Sequence, residues 1–175
     1  DGMLLTRALE DDRALQYLSQ ANFPTALTGT CRYDNIIQVD TDNEGAAEKM
    51  TTLLIGKGFR RFAFLVKDMS YNVDRKRHEG FCRALIKNGI SEKDQLFYNG
   101  SIRMEFLDAI IENIISKKVE CIICGDDEIC TMVMSRLQAE GYRIPKDVAI
   151  ASLYNSTNLD CYSCLLYTSD AADDS

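Results

Sequence analysis

A chain of 175 residues is long enough for one ordinary domain or two small lobes. Hydrophobic residues make up 46% and charged residues 27%, enough to fill a core beneath a polar surface, and no apolar run reaches the ~18 residues of a bilayer span. The formal net charge of −7 has the wrong sign for a general nucleic-acid surface, which needs Lys and Arg clustered against phosphates.

The chain opens Asp1-Gly2-Met3-Leu4-Leu5, a strand-like run with no secretory signal before it, as expected of a piece cut from something longer. Seven cysteines are present, and Cys82, Cys121, Cys124 and Cys130 sit inside apolar runs, where a free thiol behaves as a small hydrophobe. Their spacing matches no secreted disulfide scaffold, so a reducing cytoplasm is expected.

In chain order, short apolar runs alternate with amphipathic segments, the signature of βα units around a parallel sheet. Strands are expected at Gly2–Leu5, Thr25–Leu27, Ile36–Val39, Phe62–Val66, Gln95–Tyr98, Glu120–Cys124 and Val148–Ser152. A short helix is expected over Asp12–Gln20, and a longer one over Asn43–Lys57 with Ala46, Ala47, Met50, Leu53 and Leu54 on one face. Thr41 and Glu44 have capping-box spacing for its start, and Gly58 supplies its stop. The next helix, Asp74–Asn88, turns Phe81, Ala84 and Leu85 inward and ends at Gly89. Arg103–Lys117 repeats the pattern with Phe106, Leu107, Ile110, Ile111, Ile114 and Ile115 inward. Asp127–Glu140 follows with Met132, Val133 and Leu137 inward, ending at Gly141. The fold class is α/β, an open parallel sheet and more than one of them.

The last twelve residues read differently. Residues 164–173 can be encoded TGT CTC TTA TAC ACA TCT GAC GCT GCC GAC, the transposon-end adaptor of sequencing libraries in an open frame. Residues 164–175 are therefore expected to be adaptor-derived. Without their three aspartates the net charge falls from −7 to −4, which weakens the argument from acidity.

Ligands of open parallel sheets bind in the crevice beyond the carboxyl ends of the strands. That rule nominates Lys67–Val73, Asn99–Ser101, Gly125–Asp127 and Leu153–Thr157, segments rich in hydroxyl, carboxamide and carboxylate groups. Such groups suit a polyhydroxylated or amide-bearing small molecule. Arg77 lies one turn before Phe81, on the buried side of its helix and near the helix's amino end. Its fork of donors suits carboxylates or paired hydroxyls, and a structural ion pair is the alternative role.

Other motifs carry less. Cys121 and Cys124 are three apart on a strand and so point to opposite faces, and no second pair completes a zinc site, so no metal is expected. Asp126-Asp127-Glu128 opens a helix, where acids favour the dipole, so capping with ligand contact outweighs catalysis. Gly56 and Gly58 end a helix and make no dinucleotide fingerprint; Lys57, Arg60 and Arg61 read as a solvated basic turn. With His78 the only histidine, general acid–base chemistry is poorly supplied, and neither an enzyme nor a cofactor is expected.

At this point the order of segments resembles the LacI/GalR family of regulators. The resemblance is carried by Val39-Asp40-Thr41-Asp42-Asn43-Glu44-Gly45, Leu54-Ile55-Gly56-Lys57-Gly58-Phe59-Arg60-Arg61-Phe62-Ala63-Phe64-Leu65, Arg77-His78-Glu79-Gly80-Phe81, Cys121–Cys130 and Gly141-Tyr142-Arg143-Ile144-Pro145-Lys146-Asp147-Val148. It covers about residues 1–163, in the family's order. It implies a two-lobed periplasmic-binding-protein-like (type I) core, incomplete here, divided as residues 1–67, 68–153 and a crossover at 154–163. It also implies a small, sugar-like effector in the cleft between lobes, a homodimer, and operator DNA bound through a headpiece absent from this chain. The family's effector contacts fall on Arg77, Tyr71, Val73, Asp126, Tyr154 and Asn155. Asp126 stands where the family has Asn and Tyr154 where it has Asp, which departs from the usual sugar site. A secreted sugar-binding protein of a transporter shares this core. A small α/β enzyme is the third class, but it would need a phosphate loop or a catalytic dyad.

Overall fold

The runs Phe62-Ala63-Phe64-Leu65, Cys121-Ile122-Ile123-Cys124 and Ala149-Ile150-Ala151-Ser152 are buried at every position. Strands without alternation of this kind belong to a parallel sheet covered on both faces. The structure, a computed structural model, describes residues 1–9, 11–100, 104–154, 156, 157 and 159. Asn155 and the segment 164–175 lie outside the described residues.

In chain order the elements are β1 (Met3–Leu5), α1 (Arg13–Gln20), β2 (Thr25–Thr28), β3 (Ile37–Val39), α2 (Asn43–Gly56), β4 (Phe62–Leu65) and α3 (Asn72–Lys87). They continue with β5 (Leu96–Tyr98), α4 (Met104–Ser116), β6 (Cys121–Cys124), α5 (Asp127–Ala139) and β7 (Ala149–Ser152). Two parallel sheets result, one ordered β1-β2-β3 and the other β5-β4-β6-β7. The α/β class and the parallel pairing follow the expected pattern.

The pleat sorts side chains between two cores. Phe62, Phe64, Cys121, Ile123, Ala149 and Ala151 point to one face, where α2 and α3 bring Met50, Leu54, Phe81 and Leu85. Ala63, Leu65, Ile122, Cys124 and Ile150 point to the other, against Leu107, Ile111 and Ile114 of α4 and Val133 and Leu137 of α5. Phe81 stacks on Phe64, with ring centroids 4.8 Å apart. Cys121 and Cys124 therefore lie in different cores, as their spacing on a strand requires. In the first sheet, Leu27 packs with Leu15 of α1 and with Ile36, while Leu4, Ile37 and Val39 on the opposite face are exposed.

Four expectations need correction. First, β4 is an interior strand of the second sheet, and α2 packs on that sheet with α3, so the division at residue 67 does not follow sheet membership. The chain leaves the first sheet after Val39, and everything from α2 to β7 builds the second unit. Second, the cap of α2 is Asp42, whose Oδ1 accepts from the Gly45 N–H at 2.8 Å. Glu44 instead pairs with Arg83 on α3, so Thr41 and Glu44 form no capping box. Third, Phe106 is 58% exposed, because α4 turns Leu107, Ile111 and Ile114 to the sheet and Phe106 falls off that stripe. Fourth, the turn at Arg60 and Arg61 is anchored. Both backbone N–H groups donate to Glu120 Oε2, at 2.7 and 3.1 Å, and the Arg61 guanidinium pairs with Glu120 at 2.8 Å.

Gly80 sets the closest approach of the two long helices. A Cβ there would overlap the Glu44 carbonyl oxygen and lie 3.0 Å from the Ala47 Cβ. Gly58, Gly89 and Gly141 follow α2, α3 and α5 with φ of +102°, +67° and +85°, the left-handed turn that ends a helix.

Candidate functional site

In the second sheet, the chain runs from β4 outward to β5 and then back across β4 to β6. Its connections lie on opposite faces, α3 on one and α5 on the other. The loops after β4 and β6 therefore part at a topological switch point, where open α/β sheets leave a crevice. A cavity of about 580 Å³ lies there, roofed by the carboxyl ends of the first sheet's strands. Gly125, just before the lining residue Asp126, packs tightly on the end of β4, since a Cβ would meet the Leu65 carbonyl at 3.2 Å and Val66 at 3.0 Å.

Arg77 is the central side chain of this cleft. It is mostly buried; its Nε donates to Asn43 Oδ1 at 3.1 Å and its Nη1 to the Gly125 carbonyl at 2.5 Å. Burial lowers its pKa, and the nearby carboxylates of Asp74 and Asp126 oppose that shift. The guanidinium thus ties α3 to the start of α2 and to the β6–α5 loop while facing the cavity.

Asp126 caps α5, accepting from the Ile129 N–H at 2.8 Å, and its other oxygen lies 3.0 Å from Lys67 Nζ. Lys67 also meets Glu128 at 2.6 Å. Burial alone would lower the Lys67 ammonium, but the hydrogen bonds it donates to Glu128 and Asp126 hold it above its ordinary value. Replacing Asp126 by alanine removes the cap, so a stability loss of about 1 kcal/mol is expected in urea denaturation. An unchanged midpoint would show that the cap carries no weight.

Asp74, in the first turn of α3, is buried, and its Oδ2 accepts from the Asp68 N–H at 3.0 Å. Burial pushes its carboxyl above the usual range, partly offset by that N–H and by Arg77. The folded protein therefore holds this proton more tightly than the unfolded chain. Its contribution to stability is complete below the ordinary carboxyl range and is lost as pH rises through the raised value. Native protein is expected to lose stability relative to Asp74→Asn as pH rises from about 4. Parallel pH–stability curves for the two proteins would refute this.

Two loops close the cleft. Leu9, after β1, forms an antiparallel backbone bridge with Tyr71, and the Arg7 guanidinium carbon lies 5.8 Å from the centre of the Tyr71 ring. Asn72 Nδ2 donates to the Thr30 carbonyl at 2.5 Å, a second tie between the sheets.

The cavity brings together Arg77, Tyr71, Val73, Asp126 and Tyr154, five of the six expected site residues; Asn155 lies outside the described residues. Asn99 and Gly100, nominated by the same rule, do not line it. Sequence reasoning missed the first sheet's contribution: Thr6 and Arg7 after β1, Thr28 to Thr30 at the end of β2, and Asp40, Thr41 and Asn43 after β3. The rule of carboxyl strand ends, applied to β1, β2 and β3, would have found them. A second concavity, of about 510 Å³, opens at the amino ends of β4 and β6, away from the switch point. There the Arg60 and Arg61 side chains are spent on the Ile55 and Lys118 carbonyls. Among the described residues, no group of three or more His, Cys, Asp or Glu could hold a metal ion, and no helix is long and apolar enough to cross a membrane. Cys82 lies 3.5 Å from His78 Nε2, and burial pushes its thiol up to about 12, far from a reactive thiolate.

A family profile described as "Periplasmic binding protein-like domain" matches residues 51–169. Catabolite control protein A of Staphylococcus xylosus is 26% identical over 160 residues, covering 91% of this chain and 48% of that protein. The HTH-type transcriptional regulator CelR of Thermobifida fusca is 26% identical over 162 residues, covering 90% and 48%. The chain thus spans about half the length of the curated relatives it matches. Among solved structures, a LacI transcriptional regulator from Bacillus cereus subsp. cytotoxis superposes with a TM-score of 0.85 at 32% identity, over 95% of this chain and 61% of that one. The complex of the regulator CelR with cellobiose superposes with a TM-score of 0.81 at 25% identity, over 94% and 52%. With two parallel sheets, a cleft at the switch point and these relatives, the chain belongs to the periplasmic binding protein-like domain family, in the form carried by LacI-family transcription regulators.

Proposed function

We propose that this chain is the effector-sensing core of a DNA-binding transcription regulator, a repressor that reads a small polar molecule in the cleft between its two sheets. The observation that carries the reading is the convergence of Arg77, Tyr71, Val73, Asp126 and Tyr154 on one cavity at the topological switch point. The name of one structural relative, the CelR–cellobiose complex, supports a sugar-like ligand. The protein acts as a homodimer in the cytoplasm and reaches operator DNA through a headpiece that this chain does not contain.

No catalytic role is assigned. Among the described residues the cleft pairs no nucleophile with a base, and His78 packs against Phe97 with ring centroids 4.2 Å apart, away from the cavity lining. The mechanism is a shift of population. An effector that binds one arrangement of the lobes better than another changes the fraction of dimers able to hold DNA, and the operator reciprocally changes effector affinity.

The test uses the full-length protein. Operator binding is titrated with and without a panel of mono- and disaccharides, and melting is followed in parallel. One member is expected to raise the melting temperature and to change operator affinity five-fold or more. A protein that binds a sugar but no DNA at any salt concentration would instead be a transport receptor.

A further inference from the structure

Most charged groups around the cleft are already committed. Lys67 is held by Asp126 and Glu128, and Arg77 by Asn43 and the Gly125 carbonyl. Asp40 accepts from the Thr41 N–H at 2.9 Å and from Asn43 Nδ2 at 3.0 Å, and Asp74 accepts from Asp68. Asp127 stands in the first turn of α5, where its charge suits the helix dipole. Arg7 is different. It lines the cavity, is exposed, and meets no carboxylate or carbonyl acceptor among the described residues; its one contact is the face of Tyr71.

A guanidinium stacked on an aromatic ring keeps its in-plane N–H donors free, in the fork geometry that matches a carboxylate or a phosphate. Hydroxyl groups complete the lining, among them Thr28, Thr30 and Ser156. The Ser156 Oγ is buried and has no hydrogen-bond partner among the described residues, as expected of a group that waits for a ligand. At the crossover, Tyr154 offers a neutral phenol where the LacI/GalR resemblance places a carboxylate, which removes one source of repulsion for an anion.

We infer that the effector carries an anionic group, a carboxylate or a phosphate on a polyhydroxylated body, and that Arg7 is the residue that selects it. This rests on the cleft reading above and adds the ligand's charge and the residue that reads it. Arg7 reaches the cavity from β1 and Tyr71 from the α3 side, so an anion seated on them would bridge the two sheets.

The test is isothermal titration of the full-length protein with D-glucose, D-gluconate and D-glucose 6-phosphate, repeated with Arg7→Ala and Arg7→Lys. One acidic sugar is expected to bind at least about tenfold more tightly than glucose, the scale of a charge-assisted pair. Gluconate against the phosphate tells carboxylate from phosphate. Arg7→Ala is expected to bring the acid-to-glucose ratio to within about twofold, with Arg7→Lys in between; Arg7→Gln serves if the alanine variant fails to fold. Glucose binding as tightly as both acids, or a preference that survives Arg7→Ala, would overturn the inference and leave the cleft reading intact. A panel in which no sugar binds at millimolar concentration would overturn both.

Discussion

Replacing Gly80 with alanine is expected to cost about 3 kcal/mol of folding stability, at the upper end of what overpacking usually costs. The reason is backbone, and side chains cannot relieve it. The new methyl would overlap the Glu44 carbonyl oxygen on α2, so the two helices must separate or α3 must shift. Separation would expose Met50, Leu54, Phe81 and Leu85, which are buried between these helices and the sheet. It would also stretch the surface pairs of Arg83 with Glu44 and Lys87 with Glu48, although such exposed pairs contribute little. Urea denaturation of the native and Gly80→Ala proteins measures the loss. A change below about 0.5 kcal/mol would mean that the helices repack freely at this crossing. Gly56, where an added methyl would have nothing within 4 Å, is the control and should accept alanine without loss.

Arg77 carries the second large effect, and two variants separate its two roles. Arg77→Met leaves the Gly125 carbonyl and Asn43 Oδ1 without their donor and takes the Arg77 cation from Asp74, while Asp126 keeps Lys67. Breaking a buried charged cluster from one side costs about 3–5 kcal/mol, and a loss of about 3 is expected here. Arg77→Lys keeps the charge but cannot reach both acceptors while also presenting a planar fork to the cavity. It is expected to retain most of the stability and to lose effector affinity by tenfold or more. Melting curves give the first quantity and ligand titration the second. A lysine variant that responds fully to effector would make Arg77 a structural tie and nothing else.

Much of this was legible in the residues. Runs such as Phe62–Leu65 and Cys121–Cys124 show no alternation, which marks interior parallel strands, and every helix ends within two residues of its expected stop. Sheet membership was not legible. Phe62–Leu65 reads as an interior strand in either lobe, and only its pairing with Leu96–Tyr98 and Cys121–Cys124 places it in the second sheet. The cap of α2 was displaced by one residue because Thr41 and Asp42 both suit that position, and hydrogen-bond geometry chose the aspartate. Within the site, Arg77 was found because it lies on the buried side of an amphipathic helix. Arg7 and Thr30 were missed because they follow short strands in loops with no periodicity, where only the meeting of two sheets reveals a side chain's direction.

The bridge between Leu9 and Tyr71 and the bond from Asn72 to Thr30 are expected to set the tempo of ligand entry. Both join the walls of the cavity, so a ligand that enters between those walls does so while they are parted. Entry by that route is governed by how often the walls separate, and stopped-flow measurements are expected to show a binding rate that levels off as ligand concentration rises. A ligand seated behind both contacts is expected to leave slowly, with departure accounting for more of the affinity than arrival.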